Sequence, residues 1–263
     1  MSDLDLDGRL DAAARVAKRA GALALDFFNR RDALIIERKG MQDLVSIADR
    51  SVEDLIRAEL GGAFPTDAFV GEEGGGADAP RVWVIDPIDG TTNFLRGVPC
   101  WGVCIAYVVN GVTELGITYD PVHDELFTAR RGHGAFKNGQ RITVSGCTDP
   151  NESLIGLTYS FKMDVEPYTA LVDDLIRGGS DHRRSGSTAI KLCWVADSRT
   201  DGLVTLLCAS WDCLAGLVLV REAGGLASDF VALHGLLGKG GVLACTPGLA
   251  DYLSKVSGLP RPN

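Results

Sequence analysis

The stretch Trp83-Val84-Ile85-Asp86-Pro87-Ile88-Asp89-Gly90-Thr91-Thr92-Asn93-Phe94 restricts this chain more than any other. Val82 to Ile85 is an apolar, β-branched run that reads as a buried strand. It ends in two carboxylates three positions apart, with a proline between them that removes a backbone donor and fixes φ. A glycine and two threonines follow, offering close approach to the backbone, then free N–H and hydroxyl groups. A strand-to-helix turn with a capping aspartate explains either acid alone, but not the whole string. Hard anionic oxygens in this order suit Mg2+ held between protein carboxylates and a phosphate.

Composition narrows the setting. The 263 residues are 46% hydrophobic and 23% charged, an ordinary globular balance long enough for one large domain or two small ones. The longest clean apolar run, Cys100 to Val109, is far short of a membrane span. The N-terminus is acidic and lacks the basic flank of a signal peptide, so a soluble, cytoplasmic protein with no membrane partner is expected. With a net charge of −9 and no basic stripe beyond His182-Arg183-Arg184, nucleic acid is not an expected partner. Bound divalent cations would reverse the local field for an anionic substrate. Seven cysteines without CxxC spacing read as reduced, buried small hydrophobes, and four scattered histidines give no zinc pattern.

The periodicity predicts a helix over 10–29, a short strand over 34–38, a turn at 39–43 and a second helix opened by Ser46 and ended by Gly61-Gly62. A short strand, 69–73, ends in Glu72-Glu73, and Gly74 to Gly76 reads as a flexible loop lacking a phosphate-loop signature. Strands at 101–109 and 112–119 flank Asn110-Gly111, a hairpin signal, and another at 125–129 precedes the Asn138-Gly139 turn. After Asp149-Pro150-Asn151 the pattern alternates: strands at 154–158, 202–206, 226–228 and 241–244, helices at 165–177, up to 196, at 212–222 and at 249–256. Two domains are therefore expected: an α+β unit over 1–148, holding an antiparallel sheet and most of the acids, and an α/β unit over 149–263.

Three further acids stand out, each with an ordinary explanation on its own residues. Asp49 in a first helical turn complements the helix dipole. Glu72 reads as part of a solvated edge. Asp212, in Ser210-Trp211-Asp212-Cys213-Leu214-Ala215-Gly216, sits at or next to a helix N-cap. Ala215 and Gly216 nevertheless imply a helix start packed against another backbone, as required if it faces the strand end at Asp86. No GxSxG and no Cys or His dyad context is present.

Gly71-Glu72-Glu73, the Trp83–Phe94 string and Trp211–Gly216 followed by Glu222-Ala223-Gly224-Gly225 together resemble the inositol monophosphatase family of metal-dependent, lithium-sensitive phosphatases, in order and spacing over essentially the whole chain. The resemblance implies a layered αβαβα sugar-phosphatase fold, a homodimer, and two or three Mg2+ ions. It assigns Glu72, Asp86 and the Ile88 carbonyl to one ion and Asp86, Asp89 and Asp212 to a second. It gives the Gly90 and Thr91 N–H groups to phosphate, and the Thr91 hydroxyl with Asp49 to the attacking water. Gly186, Ser187 and Thr188, in Arg183-Arg184-Ser185-Gly186-Ser187-Thr188, are implied substrate contacts.

The implied reaction is hydrolysis of a small phosphate monoester, with inositol 1-phosphate the expected substrate. Thr205 departs from the pattern, standing where inositol phosphatases of the family commonly carry a Glu that accepts ring hydroxyls. Histidinol phosphate, fructose 1,6-bisphosphate and nucleotide 3′-phosphates are the alternatives. Some bacterial relatives bind the transcription or ribosomal RNA machinery, so a regulatory partner is the alternative of another class. The full acid set at Glu72, Asp86, Asp89 and Asp212 favours catalysis.

Overall fold

A computed structural model describes residues 5–31, 36–40 and 43–263. The chain opens with α1 (Leu6–Asn29), β1 (Ile36–Gly40), β2 (Asp43–Ser46) and α2 (Ile47–Ala63). β1 runs two residues beyond the strand expected from Leu34, while positions 34 and 35 and the turn residues Met41 and Gln42 lie outside the described residues. α2 also passes through Gly61 and Gly62 to Ala63, because its last turn is closed by the Phe64 N–H on the Leu60 carbonyl.

An eight-stranded sheet follows, built from β3 (Ala68–Gly71), β4 (Gly75–Gly76), β5 (Arg81–Asp89), β6 (Gly102–Val109), β7 (Val112–Asp120), β8 (Glu125–Arg130), β9 (Gly134–Lys137) and β10 (Gln140–Ile142). Its order is β10-β9-β8-β7-β6-β5-β3-β4, an antiparallel meander with one parallel pair, β3 on β5. Asn110 and Gly111 both adopt positive φ at the β6–β7 turn, as a two-residue hairpin requires. Gly75-Gly76 corrects the expected flexible loop: the chain turns back and hydrogen-bonds to β3. Between β5 and β6 lies α3 (Thr91–Arg96), six residues too short to show a helical period.

The second half holds β11 (Leu154–Thr158), α4 (Val165–Arg177), β12 (Asp181–Arg183), α5 (Thr188–Ala196), β13 (Gly202–Ala209), α6 (Ser210–Glu222), β14 (Leu226–Ala227), α7 (Phe230–His234), β15 (Lys239–Cys245) and α8 (Ala250–Ser257). Its five strands are ordered β12-β11-β13-β15-β14, with β11 parallel to β12 and β13 and the rest antiparallel.

Side-chain alternation builds the layers. On β5, Trp83 and Ile85 pack under α1 and α2, whereas Val82 and Val84 join Leu192, Leu214 and Val218 of α5 and α6. On β13, Leu203 faces that same helical layer, and Val204 faces Leu171, Leu175 and Leu253 of α4 and α8. The fold is thus αβαβα, and its middle helical layer is covered on both faces by sheet. No helix among the described residues is long and apolar enough to cross a membrane. All seven cysteines are free and six are buried, matching the small-hydrophobe reading.

Candidate metal centre and active site

In a regular strand, residues three apart point to opposite faces. β5 escapes this through a bulge: Asp86 pairs with Cys104, but Asp89 pairs with Gly102, leaving Pro87 and Ile88 opposite one residue of β6. The extra residue turns Asp86 and Asp89 to one side. Pro87 has no N–H to lose there, and the Ile88 N–H is taken by Asp86 Oδ1 at 3.0 Å.

Asp212 arrives from the other sheet. β13 also bulges, between Thr205 and Cys208, before running into α6. Asp212 is the third residue of that helix rather than its cap, and its Oδ2 accepts the Ala209 N–H at 2.8 Å. α6 is pressed onto β7 so tightly that a Cβ on Gly116 would meet the Ala215 carbonyl oxygen at 2.3 Å. Among the described residues, carboxylate oxygens of Asp86, Asp89 and Asp212 come within 4.8 Å of one another.

Three acids this close, Asp86 and Asp89 buried and Asp212 half-buried, cannot all ionise cheaply. Asp86, 1% exposed, is held well above the usual carboxylate range by burial, then by the charges of Glu72, Asp89, Asp212 and Asp49. Burial and then Asp89 push Asp212 up to about 7, against the pull of the Ala209 N–H, Lys239 and Lys162. Asp89 is raised by burial despite hydrogen bonds from Ser187 and Ala189. A cluster of hard oxygen donors repelling one another fits a divalent cation of the Mg2+ type, which supplies the missing positive charge.

Around this cluster the other expected residues are placed unequally. Glu72 lines the same cavity, of about 460 Å³, but its carboxylate stands outside the three-acid group. Asp49 is buried at the third position of α2; its Oδ2 accepts both the N–H and the hydroxyl of Ser46, and its Oδ1 lies 3.3 Å from the Thr91 hydroxyl. That hydroxyl is also 3.1 Å from the Ile88 carbonyl. Gly90 has φ +102°, which only glycine adopts without strain, and a Cβ there would sit 3.0 Å from the Cys100 carbonyl oxygen. Burial raises the Asp49 carboxyl as well, opposed by its Ser46 bonds.

Matched against a model of the inositol monophosphatase family, residues 5–257 of the chain align. The chain belongs to that family. A relative in Haemophilus influenzae, named Nus factor SuhB, is 39% identical over 240 residues, covering 89% of this chain and 90% of that protein. Among solved structures, the extragenic suppressor protein suhB of Bartonella henselae superposes with a TM-score of 0.89 at 31% identity, covering 95% of this chain and 98% of that one. An IMPase of Thermotoga maritima gives 0.86 at 31% identity, with 95% and 97% covered.

Against the family pattern, two positions behave differently from expectation. Ser187 was expected at substrate, yet it is fully buried; its hydroxyl donates to Asp89 Oδ2 and accepts the Ile190 N–H at 3.0 Å. Its side chain therefore braces an acid, while Gly186 and Thr188 line the cavity. Thr205 is fully buried, pairs with Val242 and has its hydroxyl 3.4 Å from the Leu207 carbonyl, so Leu207 takes its place in the cavity wall.

Sequence reasoning missed several neighbours. Tyr159, Phe161, Lys162 and Lys239 line the cavity. They come from a loop and a strand end with no motif of their own. Lys191, fully buried on α5, donates to the Leu157 carbonyl, Thr158 Oγ1 and the Gly186 carbonyl at 2.8, 2.7 and 3.4 Å. Burial brings its pKa down to about 8. Asn93, within the quoted string, bridges the Cys100 and Ser185 carbonyls at 2.8 and 2.7 Å, tying the acid-bearing loop to the Gly186 turn. A lysine in the apolar run Ala189–Ala196 was the one available signal.

Proposed function

We propose that this chain is a Mg2+-dependent phosphomonoesterase acting on a small polyol phosphate, with inositol 1-phosphate as the first substrate to test. The convergence of Asp86, Asp89 and Asp212 from two sheets, each with a raised pKa, carries the reading. Glu72, Asp86 and the Ile88 carbonyl would hold one ion and Asp86, Asp89 and Asp212 a second, with room in the family pattern for a third. Bound there, the ions would neutralise phosphate charge, acidify a water and stabilise the departing alkoxide.

The chain's own groups then orient the reactants. The N–H groups of Gly90 and Thr91 would hold the phosphate. The Thr91 hydroxyl has two acceptors for its proton, Asp49 Oδ1 and the Ile88 carbonyl, which leaves its lone pairs for the attacking water. Asp49, its carboxyl raised by burial, would take the proton from that water. A homodimer in the cytoplasm, divided at 148/149 into an acid-bearing unit and a unit that completes the site, belongs to the same proposal.

The alcohol side favours a second substrate reading. With Thr205 buried, no carboxylate beyond the proposed ligands lines the cavity among the described residues, whereas Lys162 and Lys239 do. Two ammonium groups oppose a cationic alcohol such as histidinol and suit one that carries a further anion, as in fructose 1,6-bisphosphate. Comparing kcat/KM for inositol 1-phosphate, histidinol phosphate, fructose 1,6-bisphosphate and a nucleotide 3′-phosphate tests both. Hydrolysis of none of them with Mg2+ present would remove the phosphatase reading.

Relatives named Nus factor SuhB support a role of another class, as a regulatory partner of the transcription machinery. It predicts co-purification with RNA polymerase that Asp86→Asn leaves intact. Loss of that association in the variant would tie the two activities to one site.

A further inference from the structure

Glu53 sits on α2 one turn beyond Asp49, is 2% exposed, and is absent from the cavity wall. Its carboxylate is nevertheless fully engaged. Oε2 accepts the Glu73 N–H and Oε1 the Gly74 N–H, both at 2.9 Å. Arg57, a further turn along, donates Nε to Glu53 Oε1 at 2.7 Å and Nη2 to the Gly75 carbonyl at 2.7 Å. The pair grips three consecutive residues of the turn that leaves Glu72.

The glycines around Glu72 are shaped to this grip. A Cβ on Gly71 would lie 2.3 Å from Glu53 Oε1, and one on Gly74 would lie 2.7 Å from it. Neither glycine has positive φ, so backbone conformation does not demand them. Space for the carboxylate does. Beyond the turn lies only β4, a two-residue strand at the sheet edge, which would hold the segment weakly by itself.

We propose that Glu53, buttressed by Arg57, is a positioning residue that sets Glu72 for cation binding. The inference rests on the metal reading above and adds a residue to it. Glu72 stands outside the tight three-acid group, so its contribution to an ion depends on where the turn holds it. Supports of this kind typically change metal affinity about 10- to 100-fold when removed.

The test is Mg2+ binding to the full chain, followed by Trp211 fluorescence and by calorimetry, alongside the Mg2+ dependence of turnover. Glu53→Gln puts an amide N–H against a backbone N–H; a Mg2+ Kd raised about 10- to 100-fold, with the loss of rate recovered by added Mg2+, is expected. Gly74→Ala keeps the Glu53 charge but crowds its oxygen, and should move the Kd in the same direction. Should Glu53→Gln fail to fold, Gly74→Ala and Arg57→Met carry the test. A wild-type Kd in the folded variants, with only a lower melting temperature, overturns the proposal and leaves the metal reading standing. No Mg2+ binding by the wild-type chain at millimolar concentration overturns the metal reading beneath it.

Discussion

Glu72 stands beside Asp86 because Gly71 and Ile85 are register partners in the parallel β3–β5 pair, and the Glu72 N–H continues that pairing to the Ile85 carbonyl at 3.3 Å. A parallel pair carries residues forward together, so the position after each partner also comes side by side. One acid thus reaches its neighbour by strand register. Asp89 reaches the same spot by a bulge, and Asp212 by a helix start pressed onto β7. Three different backbone devices converge on one patch of charge.

Asp86 is central to that patch, and its replacement separates function from folding. Asp86→Asn should lower kcat/KM by at least about 10²–10³-fold, the scale of losing one preorganised electrostatic group. The metal-free melting temperature should equal or exceed that of the wild-type chain, since a buried, repelled carboxyl is removed. Mg2+ should raise the melting temperature of the wild-type chain and not of the variant. Thermal melts in EDTA and in Mg2+, read beside the assay, check all three.

The raised carboxyls also fix a pH dependence. Asp86, Asp89 and Asp212 hold protons more tightly folded than unfolded, so the folded chain binds more protons and loses stability as pH rises. For Asp212 the window opens near the unfolded carboxylate value of about 4 and closes near 7. In EDTA the melting temperature should therefore fall between about pH 4 and 7. Saturating Mg2+ should flatten that slope, and binding below pH 7 should release protons. Calorimetry in two buffers of different ionisation enthalpy measures the release; none at pH 6 would contradict the shared-charge account.

Asp49 and Thr91 are proposed to act as a unit on the attacking water, and a double-mutant cycle tests it. Asp49→Asn and Thr91→Ala should each lower kcat by about 10²–10⁴-fold. The double variant should be little worse than either, because each removes the same arrangement. The capping bonds from Ser46 to Asp49 limit the stability loss of Asp49→Asn to about 1 kcal/mol. Fully additive losses would place the two residues in separate roles.

Local patterns in the sequence carried much of this arrangement. The 165–177 helix lies as expected, and the Asn110-Gly111 hairpin and the strands of the meander fall where alternation puts them. What escaped was set by distant partners. Gly74 to Gly76 reads as a loop because the Glu53 carboxylate and the β3 edge that order it lie elsewhere in the chain. Ser187 reads as a free hydroxyl until Asp89 is brought against it. Thr205 is an ordinary strand residue whose burial decides which groups face the alcohol, and only packing reveals that. Bulges at Pro87-Ile88 and after Thr205 have no fixed composition, so the turning of two acids to one side was legible only through the resemblance.

Gly116 gives a remote test of how Asp212 is held. A Cβ there would lie 2.3 Å from the Ala215 carbonyl oxygen and 2.4 Å from Val218 Cγ1, both on α6. A backbone oxygen cannot swing aside as a side chain can, so Gly116→Ala must shift the helix that starts just before Asp212. Overpacking of this kind costs about 1–3 kcal/mol. The same shift should spread the three-acid group and weaken Mg2+ binding, although the residue touches no acid. Gly62→Ala is the control: it lies in α2, where a Cβ would meet nothing within 4 Å, and should stabilise by up to about 1 kcal/mol. Urea midpoints and Mg2+ titrations of both variants decide the matter. Destabilised Gly116→Ala with unchanged Mg2+ affinity would mean that α6 packing supports the fold without setting Asp212.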